Sequence, residues 1–248
     1  MGMHGPWPRR AALRLGVLAG VGAVAAACGT KTDDSAVGQA PSSPAPPPSE
    51  PAVTDPDQAL ARLKAGAERF ASGGVHRPDQ DTTYRATLSA GQHPFACVLS
   101  CVDSRVPPEI VFDQGLGDLF VTRTAGQVVD HAVLGSIQYG VAELKIPLVL
   151  VLGHEKCGAV KATVEAVEKG SPPGGNDIDA LVAAIKPAVQ QAEDAKAADM
   201  LDASVRNNVK NIVADLGARP VLSAAVAAGT LKVAGARYDL DTGEVEFL

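Results

Sequence analysis

The sequence predicts an α/β fold: a mostly parallel central β-sheet flanked by helices, with a C-terminal β-hairpin. Three observations point there. Apolar runs at 95–99, 119–122 and 147–152 are of strand length, rich in Val, Ile and Phe, and alternate little. That is the pattern of strands buried on both faces. A stretch of helical periodicity separates the second run from the third, and strand–helix alternation implies parallel pairing through right-handed crossovers. The tail, 231–248, alternates better and carries Asp241-Thr242-Gly243, the turn of a hairpin.

The chain has 248 residues, more than the roughly 100–200 of an ordinary domain. The surplus lies at the N-terminus. Arg9 and Arg10 precede an apolar stretch, 11–27, that is interrupted only by Arg14 and ends in Ala25-Ala26-Ala27-Cys28. A charged start, a short apolar region and a small-residue end predict a signal peptide over 1–27. After Arg14 the apolar residues are too few for a membrane span of about 20. Cysteine after small residues resembles a bacterial lipobox, which makes Cys28 the expected lipidated first residue of the mature chain. Ala25 stands where such sequences more often carry Leu, and ordinary cleavage near the alanines is the alternative. The arginine pair also resembles a twin-arginine export signal. Residues 28–53 are rich in Pro, Ser, Ala and Gly, and Pro44-Ala45-Pro46-Pro47-Pro48 favours extended geometry. They read as a tether. The expected location is outside the cytoplasmic membrane, anchored only by lipid on Cys28, or secreted.

A folded domain is expected over 54–248. Thr54 is the expected N-cap of its first helix, with Pro56 following and Asp57 placed as in a capping box. Leu60, Leu63, Ala67 and Phe70 recur at helical spacing, and Gly73-Gly74 ends the pattern. Between the second and third strands, Val133, Leu134, Ile137, Val141 and Leu144 mark a helix. An Ala-rich helical region over 178–216 is expected to break near Asp199, with Pro187 kinking or interrupting its first half. A short helix follows over 221–228.

The formal net charge is −6, with no long basic run. That excludes the electrostatic footprint of a nucleic-acid binder, and solubility accounts for the acidic balance.

Two polar motifs follow two of the strands. Cys101-Val102-Asp103-Ser104-Arg105 comes after the first, and Gly153-His154-Glu155-Lys156-Cys157-Gly158 after the third. Sites in parallel sheets form beyond the carboxyl ends of the strands. Thiolate and imidazole are favoured zinc ligands, and Cys101, His154 and Cys157 would leave a fourth position open, as in catalytic sites. These residues alone leave two alternatives standing. One is a Cys101–Cys157 disulfide; the other is His154 as a helix cap. Cys97 lies too far back along its strand, at about 3.3 Å per residue, to be a ligand, and reads as a packing residue. Glu155 and Lys156 read as exposed loop charges. His93 and His131 are candidate proton shuttles by side-chain pKa alone.

The run CVLSCVDSRVPPEIVFDQGLGDLFVTRTAG, followed by LVLVLGHEKCGAV, resembles the β-class carbonic anhydrases, with both motifs in the family's order and separation. The similarity extends from about Asp55 to Leu248, including ARYDLDTGEVEFL. It implies zinc held by Cys101, His154 and Cys157, and reversible hydration of carbon dioxide to bicarbonate and a proton by hydroxide generated at the zinc. Asp103 and Arg105 become a catalytic dyad, with Asp103 a fourth ligand in a closed state. Gln92, Phe120 and Tyr139 match substrate-contacting positions, and a homodimer or tetramer is expected, with Gln92 serving the neighbouring subunit. Thr124, Gln127 and Ala67 depart from common family forms. Two rival readings stand beside it: a hydrolase of carbon disulfide or carbonyl sulfide with identical ligands, and a zinc-storing or solute-binding lipoprotein without turnover.

Overall fold

A computed structural model describes residues 53–170 and 174–248 of the chain. The expected signal peptide, Cys28 and nearly all of the expected tether lie outside the described residues.

Helix α1, Pro56–Ser72, is capped by Asp55 rather than Thr54. The Asp55 carboxylate accepts the amides of Asp57 and Gln58 at 3.0 and 2.9 Å. A carboxylate at that position also meets the positive end of the helix dipole, which a threonine hydroxyl does not. Gly73 ends the helix in the left-handed region, φ 78.

Among the described residues, five strands form one sheet: β1 Ala96–Cys101, β2 Leu119–Thr124, β3 Leu148–His154, β4 Lys232–Tyr238 and β5 Val245–Phe247. Their order is β2-β1-β3-β4-β5. The first four are parallel, and β5 returns antiparallel to β4 as the predicted hairpin. β1 and β3 are buried at every residue, whereas β2 is only half-buried throughout. Full burial therefore holds for the central pair β1 and β3 and not for β2, which is one of the two edge strands.

From β1 the chain crosses to β2 on one side and later returns to β3 on the other. The adjacent ends of β1 and β3 are thus a topological switch point, where a crevice opens.

Between β2 and β3 lies α4, His131–Ala142, capped by Asp130. After β3 come α5 Gly158–Glu168, α6 Ile178–Asp194, α7 Met200–Ala218 and α8 Pro220–Ala227. Asp199 caps α7 at the expected break. Pro187 does not interrupt α6, which runs as one helix from Ile178 to Asp194. Burial of Ile185, Ala188, Val189 and Ala192 between neighbouring helices outweighs the lost backbone bond. Two short helices, α2 Thr82–Thr87 and α3 Pro108–Val111, carry no periodicity that would announce them.

Alternation along β1 and β3 divides the core. Val98, Leu148, Leu150 and Leu152 pack towards Ala59 and Leu63 of α1. Cys97, Leu99, Val149 and Val151 pack towards Ile137 of α4 and Val209 and Leu216 of α7. Cys97 is fully buried, and desolvation pushes its thiol up to about 12. Cys101 belongs to a third cluster with Cys157, Val160, Ile185 and Val205. Gly153 is required near it, since a Cβ there would stand 2.5 Å from Val209 Cγ2 of α7.

The loop after α1 is tied to the domain by Asp113. Its carboxylate accepts the amides of His76 and Arg77, each at 2.9 Å, and Arg69 Nε at 2.6 Å.

Candidate metal centre

Cys101 is the last residue of β1 and His154 the last of β3, and these strands are hydrogen-bonded neighbours. Cys157 occupies the N-cap position of α5. Lys156, left-handed at φ 54, turns the chain from strand into helix. The outcome is one buried cluster: the ligand atoms of Cys101, His154 and Cys157 all lie within 4.8 Å of one another.

The two sulfurs are 4.0 Å apart and both cysteines are free. A disulfide needs about 2.05 Å, so that alternative is not formed. Two sulfurs sharing a tetrahedral zinc, each at about 2.3 Å, lie roughly 3.8 Å apart. His154 Nδ1 donates to Glu155 O at 2.8 Å, which leaves the lone pair on Nε2. Nε2 is buried and has no hydrogen-bond partner among the described residues. A buried polar atom left bare costs about 1–3 kcal/mol. An open acceptor beside two thiols fits zinc.

Electrostatics of the thiols agree. The Cys157 hydrogen bond holds Cys101 well below the ordinary thiol range against the cost of burial, helped by the amides of Gly126 and Asp103. The same bond and burial push Cys157 up, opposed by the amides of Val160 and Ala159 at the start of α5. The shared hydrogen bond thus favours the thiolate on Cys101 and the thiol on Cys157. A divalent cation displaces the thiol proton, and the backbone amides already favour both thiolates.

Asp103 stands at the rim, with Oδ2 3.9 Å from His154 Nε2. Arg105 holds it three times: Nε to Oδ1 at 2.9 Å, a terminal guanidinium nitrogen to Oδ2 at 2.7 Å, and its own amide to Oδ1 at 3.0 Å. The guanidinium keeps the Asp103 carboxyl well below the usual carboxylate range.

Sequence reasoning passed over two supports. Arg123 of β2 donates to Cys101 O at 2.7 Å and to Asp103 O at 2.6 Å, fixing the backbone on both sides of Val102. Asn208 of α7, buried, donates to Gly126 O at 2.8 Å. Gly126 has φ 65, and a Cβ there would lie 2.6 Å from Ile185 Cδ1. No local spacing signals either contact. Among the departing residues, Thr124 bonds Val128 O through its hydroxyl at 2.7 Å, Gln127 is buried with its amide nitrogen unpartnered among the described residues, and Ala67 packs in the core.

Other candidates lie elsewhere. Phe120 pairs in register with Cys97, four residues back from Cys101, or about 13 Å of strand. Its ring meets Tyr139, half-exposed on α4, at 6.4 Å between centroids. Gln92, His93 and His131 are exposed. Glu155 is partly buried rather than an exposed loop charge, and Lys156 is paired with Asp241.

Fold and cluster together define an α/β metalloprotein with a Cys-His-Cys centre at the switch point of a parallel sheet. The pattern of the family described as carbonic anhydrase matches residues 96–245. The chain is 46% identical over 191 residues to carbonic anhydrase 2 of Mycobacterium tuberculosis, covering 77% of this chain and 91% of that one. It is 44% identical over 194 residues to the carbonic anhydrase of Mycolicibacterium smegmatis, covering 78% and 93%. Among solved structures, the β-carbonic anhydrase of Coccomyxa superposes with a TM-score of 0.60 at 30% identity, covering 79% of this chain and 87% of that one. The chain belongs to the β-class carbonic anhydrase family.

Proposed function

We propose that the protein catalyses the reversible hydration of carbon dioxide to bicarbonate and a proton, with zinc held by Cys101, His154 and Cys157. The observation that carries this is the bare, buried His154 Nε2 beside two sulfurs, with the Asp103–Arg105 pair at its rim. Zinc in such a site makes hydroxide available from water near neutral pH.

The chain's own residues do the rest. Asp103, held ionised by Arg105, accepts a hydrogen bond from the O–H of the attacking water or hydroxide, keeps no proton itself, and so aims the oxygen lone pair. Arg105 fixes both carboxylate oxygens, so the acceptor is preorganised. Arg123 stops the backbone beneath Asp103 from drifting. A zinc-storing protein has no use for this dyad, which favours turnover over storage. Hydration kinetics on zinc-loaded protein test the reading.

Gln92, Phe120 and Tyr139 are proposed to bind substrate across the contact between two copies in a homodimer or tetramer. Their support is that Phe120 and Tyr139 meet each other on β2 and α4, with Phe120 in register with Cys97 rather than Cys101, and that Gln92 is exposed. Sedimentation of the full chain tests this.

The division into a signal peptide (1–27), a tether from Cys28 to residue 53 and a catalytic domain (54–248) is proposed likewise, with lipid on Cys28 holding the enzyme outside the cytoplasmic membrane. The basic start, apolar stretch and Ala25-Ala26-Ala27-Cys28 support it. No helix among the described residues is long and apolar enough to cross a membrane. Mass spectrometry of the mature chain, against Cys28→Ser, tests it.

A further inference from the structure

The motif residues between the two ligands, Glu155 and Lys156, are gripped by a turn 85 residues further on. Glu155 donates its amide to Tyr238 O at 2.8 Å, continuing the β3–β4 pairing one residue past His154. Its carboxylate accepts the amide of Leu240 at 3.3 Å. Its carbonyl is the acceptor that fixes the His154 imidazole through Nδ1. Lys156, in a backbone conformation uncommon for a side chain of its kind, pairs with Asp241 at 2.6 Å and with Glu155 at 3.4 Å. The turn is itself ordered: the Asp239 side chain accepts the amides of Asp241 and Thr242, each at 3.0 Å, and Gly243 N donates to Asp239 O at 3.0 Å.

We infer that the hairpin turn Asp239–Gly243 is a clasp that positions the zinc loop, with Glu155 as the positioning residue acting on His154. This rests on the zinc reading of Cys101, His154 and Cys157. Every hydrogen-bonding group of Glu155 is engaged, and one of them sets the orientation of the imidazole. A ring held this way presents Nε2 at a fixed angle to the sulfurs. Released from the turn, the Glu155 peptide can rotate, and the Nδ1 bond that orients the ring goes with it. The carboxylate of Glu155 thus controls the metal without touching it, through its own backbone.

The test uses the full chain loaded with zinc, and separately with cobalt(II), whose visible absorption reports ligand geometry. Zinc release to a chromogenic chelator is timed for the wild type, Glu155→Ala and Glu155→Gln. Loss of a group that orients a ligand weakens metal affinity by about 10–100-fold, so Glu155→Ala should release zinc at least about tenfold faster and shift the cobalt bands. Glu155→Gln keeps an acceptor for Leu240 and should stay near the wild type. An unchanged rate and spectrum in Glu155→Ala overturns the inference. If Glu155→Ala does not fold, the surface pair Lys156→Ala with Asp241→Ala takes its place: several-fold faster release supports the clasp, and a wild-type rate overturns it. Wild-type protein that binds no zinc would instead defeat the underlying zinc reading.

Discussion

Asp103 and Arg105 form a closed pair in which both carboxylate oxygens are taken by one guanidinium, at 2.9 and 2.7 Å. The pair sits at the mouth of the metal cluster, not inside it, with Oδ2 3.9 Å from the bare His154 nitrogen. Asp103 is therefore placed to accept a hydrogen bond from a hydroxyl beside the cluster, without itself entering the group formed by Cys101, His154 and Cys157.

Asp103→Ala should keep zinc at wild-type stoichiometry and hydrate carbon dioxide about 100-fold more slowly, the scale for losing a group that aligns a reactant. Metal analysis and initial rates on the same sample check this. Unaltered turnover would remove Asp103 from the mechanism.

Cys101 and Cys157 should be protected from oxidation only while metal is bound. Their sulfurs are 4.0 Å apart and both are buried. Chelator-treated protein exposed to an oxidant is expected to lose both thiols as one disulfide, a loss of about 2 Da on peptide mapping, the two thiol hydrogens. The zinc-loaded protein should keep them. Cys101→Ser should lose zinc and activity together.

Asp113 gives a pH-dependent contribution to stability. Burial alone would raise its pKa, but the His76 amide, the Arg69 guanidinium and the Arg77 amide together bring it below the ordinary value. A group depressed in the folded state stabilises above its unfolded pKa of about 3.9 and loses that contribution as pH falls through the folded value. Asp113→Ala leaves two backbone amides without their acceptor and should cost about 2 kcal/mol at pH 7, or roughly 4–8 °C in Tm for a domain of this size. Thermal melts from pH 7 to 3 should show the gap from wild type narrowing below about pH 4. A gap constant with pH would contradict the assignment.

The sheet was legible because β1 and β3 are buried on both faces, which leaves unbroken apolar runs at 95–99 and 147–152, with Ser100 and His154 only at the strand ends. The same signal misled at β2: Leu119 and Val121 look like inner-strand residues, yet a run of that length does not say whether a neighbour lies on both sides. Pro187 misled in the other direction, since local propensity cannot weigh packing by helices still to come. At the metal cluster, residue chemistry and the rule placing sites at strand ends point to Cys101, His154 and Cys157 but leave a disulfide and a helix cap open, and the family resemblance chooses among them. Arg123 and Asn208 were illegible for a physical reason. Each bonds a backbone carbonyl, 20 or more residues away in sequence, and carbonyls carry no side-chain pattern to match. The Glu155 contact with Leu240 is hidden in the same way.

The central claim is that this cluster turns carbon dioxide over. Stopped-flow hydration on the full chain, with zinc counted in the same preparation, tests it most directly. One zinc per chain and hydration that disappears on chelation and returns with zinc is the expected result. One zinc per chain with no hydration above the buffer rate would contradict it and leave a zinc-binding protein in its place.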